Sequence, residues 1–165
     1  MIGQGLMEGT VEEDSRESWQ RAIDALMVLG AAIGALQADY PGTPESLRRA
    51  LCVLEDEPAA LLLLGLLDSE YAAALVDELV SASLSHRNAL RVRLILGWLP
   101  HDQAERTVPP AVWRQLQKTS DYDAYRRMAE LLSHLGLREA LSRLSARALA
   151  SSDPDIREVG EDFSE

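Results

Sequence analysis

A short phrase returns three times in the second half of this chain and constrains the fold more than any other feature. Ser85-His86-Arg87-Asn88-Ala89-Leu90-Arg91, Ser120-Asp121-Tyr122-Asp123-Ala124-Tyr125-Arg126 and Ser152-Asp153-Pro154-Asp155-Ile156-Arg157 each run from a polar cap through an apolar position to an arginine. Their starts lie 35 and 32 residues apart. A period in the thirties that holds two helical segments is the mark of stacked helix pairs, in which each unit buries its apolar side against the next. Such stacks bind partners along a surface.

The rest of the chain agrees with helices. Ala and Leu dominate the apolar residues, β-branched residues are sparse, and Phe163 is the one phenylalanine. The fold class expected is all-α. Residues 1–13 read as a disordered lead-in and 14–165 as a single helical-repeat domain with an acidic C-terminal segment. The first helix is capped by Asp14 or Ser15, carries Trp19, Ile23, Leu26, Met27 and Gly30 at helical spacing, and stops at Tyr40-Pro41-Gly42. Thr43-Pro44 opens a second helix. Pro58 to Leu67 is apolar nearly all round and is expected to be buried on more than one side. A helix from Ser69 follows, with Leu75, Val76, Leu79 and Val80 as its stripe. The helix from about His86 to Trp98 carries Leu90, Leu94 and Leu96 with Arg87, Arg91 and Arg93. Residues 101–108 read as a polar loop, and Pro109-Pro110 as the start of a short helix with Val112, Trp113 and Leu116. A helix capped by Ser120 or Asp121 ends at Gly136, Leu137 opens another, and 153–163 is a last short helix or a charged tail.

The opening Ser152-Asp153-Pro154-Asp155-Ile156-Arg157-Glu158 resembles the start of a HEAT repeat, in which an Asp-Pro step opens the first helix and an apolar residue and an arginine follow. Ser120-Asp121-Tyr122-Asp123 keeps the acid without the proline, and Ser85-His86-Arg87-Asn88 has neither. The resemblance covers roughly residues 55–163. It implies a small HEAT-like α-solenoid of paired antiparallel helices, with the second helices lining a concave binding face. The alternative is an irregular helical bundle.

Net charge is −11 and unevenly placed. Residues 1–60 carry −7, residues 61–150 carry +1 and residues 151–165 carry −5. A field of this sign argues against non-specific affinity for nucleic acid or an anionic membrane. The bases are 15 Arg and Lys118. Arg114 and Lys118 share a helix face, as do Arg143 and Arg147. On the solenoid reading these four form a strip along the concave surface, and Trp113 beside Arg114 is a candidate anchor, as is Trp98. These are the candidate binding residues.

No catalytic residues, metal ligands or cofactor are expected. His86, His101 and His134 stand apart, outside metal-ligand spacing, and the nucleophile and phosphate-loop motifs are missing. Cys52, the single cysteine, lies among apolar neighbours and is expected to be a small buried hydrophobe. Residues 1–14 lack the basic-then-apolar order of a secretion signal. Pro58–Leu67 is too short to span a membrane, and Met27–Leu36, with two glycines, reads as a packed core helix. The chain is therefore expected to be cytoplasmic, without a membrane partner. The function expected is a non-catalytic adaptor or scaffold that binds a protein or a second copy of itself. The alternative is nucleic-acid binding along the arginine strip.

Overall fold

The computed structural model describes residues 5–40 and 42–164, with side chains from Ser15 onward. These residues form ten helices and no strand. They fall into two compact units, 1–40 and 41–165, described separately.

The first unit is one helix, α1, Gly5–Ala38. It begins earlier than the expected cap at Asp14. Leu6, Met7, Glu8, Glu12 and Glu13 are adequate helix formers, and extending a formed helix avoids the cost of a new nucleus. The expectation of a packed core helix over 27–36 is corrected here. Met27 and Val28 are each 72% exposed, and no described side chain of α1 is buried.

The second unit holds α2 (Gly42–Leu51), α3 (Glu57–Leu64), α4 (Ser69–Ala73), α5 (Val76–Ala82), α6 (His86–Leu96), α7 (His101–Lys118), α8 (Tyr122–His134), α9 (Arg138–Leu149) and α10 (Pro154–Asp162). Its neighbours run in order: α6 touches α3, α4, α5 and α8, while α8 touches α6, α7, α9 and α10, and α5 lies on α7. Leu79, Val80, Val92, Leu96, Val108, Leu116, Met128, Leu131, Leu132 and Leu144 are shut from solvent and form one core through these helices.

Local chemistry sets the ends of α8 and α10. The Asp121 carboxylate accepts from the Ala124 amide at 2.9 Å, and the Asp153 carboxylate accepts from the Asp155 amide at 2.9 Å. Both satisfy orphan donors at a helix start. Ser85 makes no such side-chain bond. After α8, Gly136 adopts φ 67°. The Leu137 amide then donates to the Leu132 carbonyl at 3.0 Å and the Gly136 amide to the Ser133 carbonyl at 3.1 Å. This is a Schellman stop, closed by buried Leu132 and Leu137. Replacing Asp121 with alanine is expected to cost about 1 kcal/mol, measured as a lower urea midpoint at unchanged slope.

Four local expectations are corrected. The helix from Ser69 breaks at Ala74–Leu75, and the freed Ala74 carbonyl accepts from Arg48 Nη2 at 3.2 Å. Residues 101–118 are one helix, with Pro109 and Pro110 inside it. Two ladder bonds are lost, yet Ala104, Val108, Ala111, Val112, Gln115 and Leu116 form one buried stripe in phase across the prolines. Burying that stripe outweighs the break. Cys52 is exposed, in the turn just past the end of α2. Residues 58–67 bury Ala60, Leu61, Leu64 and Leu67 but leave Leu62 and Leu66 half exposed.

Candidate functional site

The most distinctive surface of the second unit comes from a shift of phase on α6. Its buried stripe is Ala89, Val92, Ile95 and Leu96, continued by Leu99. Leu90 and Leu94 lie on the other face and are 64% and 52% exposed. Trp98, in the turn beyond α6, is 63% exposed. Arg87 and Arg91 share this outer face, so the exposed row is Arg87, Leu90, Leu94 and Trp98 at three- and four-residue steps, with Arg91 beside Leu90 and one turn after Arg87.

A second row faces it. Pro58, Leu62 and Leu66 recur at four-residue steps along α3 and the turn after it. Between the rows runs a groove. One end is lined by Leu61, Leu62, Gly65, Leu66, Arg91, Leu94, Ile95 and Trp98. The other end is lined by Glu57, Pro58, Arg87, Asn88, Leu90, Arg91 and Leu94. Arg91 and Leu94 line both ends. Contiguous apolar surface of this kind marks interaction sites.

Asn88 lines one end of the groove. Asn88 is 8% exposed, and its Nδ2 has no hydrogen-bond acceptor among the described residues. A buried amide without a partner costs about 1–3 kcal/mol. Arg87 and Arg91 make no ion pair among the described residues. The rim is therefore basic, with Glu57 the one acid in it.

The residues predicted from sequence lie outside this groove: Arg143 and Arg147 come to Trp113, and Arg114 is directed to Asp77. Arg114 reaches across to Asp77, with Nη2 2.6 Å from the carboxylate. It lines a polar hollow with Arg48, Glu78 and Arg106. Arg143 pairs with Glu139 of its own helix at 2.6 Å. The Arg147 guanidinium sits 5.9 Å from the ring centre of half-buried Trp113. Trp113 and Arg143 do share a hollow, with Glu105, Pro109, Leu137, Glu139 and Ala140. Lys118 is exposed at the end of α7. The hollow around Trp113 thus contains two carboxylates beside one arginine, and Arg114 turns away from it.

Sequence reasoning missed Leu62, Leu66, Leu90 and Leu94 as surface residues. The available signal was the placement of Arg87 and Arg91 in register with Leu90, Leu94 and Trp98. A row that mixes arginine with leucine at helical spacing does not fit a dry core.

His86 Nδ1 lies 2.9 Å from Arg127 Nη2, and His101 pairs with Glu105 at 3.2 Å. Among the described residues no group of three His, Cys, Asp or Glu side chains could hold a metal ion. Comparison with family models, with curated proteins and with solved structures finds no match.

Proposed function

We propose that this chain is a non-catalytic protein-interaction module, and that it binds an acidic amphipathic helix in the groove between α3 and α6. The observation that carries this reading is the pair of exposed apolar rows, Pro58-Leu62-Leu66 and Leu90-Leu94-Trp98, with the groove between them. An apolar trough between two helices suits the i, i+3/i+4, i+7 anchors of a third. Arg87 and Arg91 on the rim suit carboxylates beside those anchors.

The HEAT-like stack of helix pairs belongs to the same proposal. The order of neighbours α6, α8, α10, with α5 on α7, supports it. In that arrangement the groove lies on the first helices of the stack and not on the concave face. We place residues 41–165 in the cytoplasm, where the exposed, unpaired Cys52 suits a reducing compartment. The reading favours protein over nucleic acid because Arg114 and Arg143 of the expected strip are engaged by Asp77 and Glu139.

The test uses a labelled helical peptide with leucines at i, i+3 and i+7 and glutamates beside them, and a copy with lysines for the glutamates. The glutamate peptide is expected to bind the full chain and the lysine peptide at least tenfold more weakly. Trp98→Ala is expected to weaken binding by about 10–30-fold, while the unfolding midpoint stays within about 0.5 kcal/mol of the parent because the side chain is exposed. Equal binding of both peptides, or of neither, refutes the reading. A concentration-dependent dimer that Trp98→Ala abolishes assigns the groove to a second copy instead.

A further inference from the structure

We propose that α1 crosses a lipid bilayer once and tethers the helical unit to it. Every residue from Ala25 to Leu36 is Ala, Leu, Met, Val, Ile or Gly. Twelve such residues exceed three helical turns, so the helix is apolar around its whole circumference over that length. A surface-lying amphipathic helix needs a charged side, and this stretch has none. A helix apolar all round belongs either in a core or in a membrane, and Met27 and Val28 of α1 are exposed.

Length and flanks fit a span. The segment Ser15–Ala38 is long and apolar enough to cross a membrane. Trp19 and Tyr40 stand at its two ends, about 30 Å apart along the helical rise, which is the thickness of the hydrocarbon layer. Aromatic residues with a polar tip favour the two interfaces. Arg16 and Arg21 flank Trp19, and Asp39 adjoins Tyr40, so charges gather where water begins. Asp24 is the one ionisable residue between Arg21 and Asp39. It lies near the Trp19 end, and Gln20 Nε2 donates to its carboxylate at 3.0 Å. Reading the apolar run as only Met27–Leu36, short and with two glycines in it, leaves out the turns before it that α1 continues through, which is why the expectation of no membrane partner arises from sequence alone.

The test is fractionation of the full chain expressed in a bacterial host, followed by a carbonate wash of the membranes and intact-mass measurement. The chain is expected to stay in the washed pellet at full mass and to dissolve in mild detergent. The double substitution Val28→Lys, Ile33→Lys is expected to move it to the supernatant, with at least a tenfold fall in the pellet-to-supernatant ratio. Circular dichroism of that variant confirms that the helical unit is still folded. Recovery of the parent chain in the supernatant, as a monomer or as a soluble dimer through the face of Gly30 and Gly34, overturns the proposal. So does loss of the first forty or so residues from the recovered protein, or a pellet fraction that the lysines leave unchanged.

Discussion

Replacing Gly160 with alanine is expected to destabilise the helical unit by about 1–3 kcal/mol, the opposite of what the same change does in a free helix. In an exposed helix interior, Gly→Ala stabilises by about 1 kcal/mol, because alanine loses less backbone entropy on folding. Gly160 is different because α10 lies directly against α9 there. A Cβ at Gly160 would stand 2.7 Å from the Leu149 amide nitrogen, 2.8 Å from Leu149 Cγ and 2.9 Å from the Ser145 carbonyl oxygen. Two of those three atoms are backbone and cannot move aside by a rotamer change. The helices must separate, and with them Ile156 and Val159 lift from the core. Ser145 would also strain its bond to the Phe163 carbonyl, 3.0 Å in length. The measurement is thermal and urea unfolding of Gly160→Ala beside Glu161→Ala, an exposed neighbour expected to stay within about 0.5 kcal/mol. A Gly160→Ala midpoint at or above that of the parent would show that α9 and α10 are not in close contact.

That close approach was not legible in the sequence, although the helix around it was. Asp121, Asp153 and Gly136 could be read in advance because caps and stops act through bonds to residues two to five positions away. What failed depended on residues far apart in the chain. On α6 the apolar positions define two stripes, 89-92-96-99 and 90-94-98, and spacing alone allows either to face inward. Packing against α3, α5 and α8 selects the first and leaves the second as one wall of the groove. On α7 the prolines carry a strong local signal for a helix start, but the buried stripe from Ala104 to Leu116 keeps one helix through them. The partners of the expected strip of Arg114, Lys118, Arg143 and Arg147 were hidden for a similar reason. Helical spacing placed each pair on a face, but it could not reveal that Asp77, thirty-seven residues away, engages Arg114.

Replacing Glu130 with glutamine is expected to cost about 1–3 kcal/mol at neutral pH, with a pH signature that separates charge from packing. Glu130 of α8 joins three helices. Its carboxylate accepts from Arg93 of α6 and, at 3.0 Å, from Arg127 of its own helix. Arg126, 3.9 Å from Glu130, also reaches Asp162 of α10. The Glu130 side chain is 26% exposed and that of Arg93 20%, so solvent screens the pair only in part. Burial raises the cost of charging Glu130. The hydrogen bonds from Arg127 and Arg93 outweigh that cost and hold the carboxyl below its ordinary value of 4.5. A carboxylate with a lower pKa in the folded state contributes stability above the unfolded value, and that contribution is lost as pH falls through the folded value. The gap in unfolding free energy between parent and Glu130→Gln is therefore expected to stay constant from pH 8 to about pH 5 and to close below about pH 4.5. Asp102 is lowered too, by its bond to Arg106. It lies on an exposed face and is unchanged in both proteins, so it cancels from the difference. A gap that persists unchanged to pH 3 would mean that Glu130 acts through its shape and not its charge. A double-mutant cycle with Arg93→Ala then measures the link between α6 and α8 directly, and a coupling below about 0.5 kcal/mol would remove Glu130 as the tie that holds these helices in register.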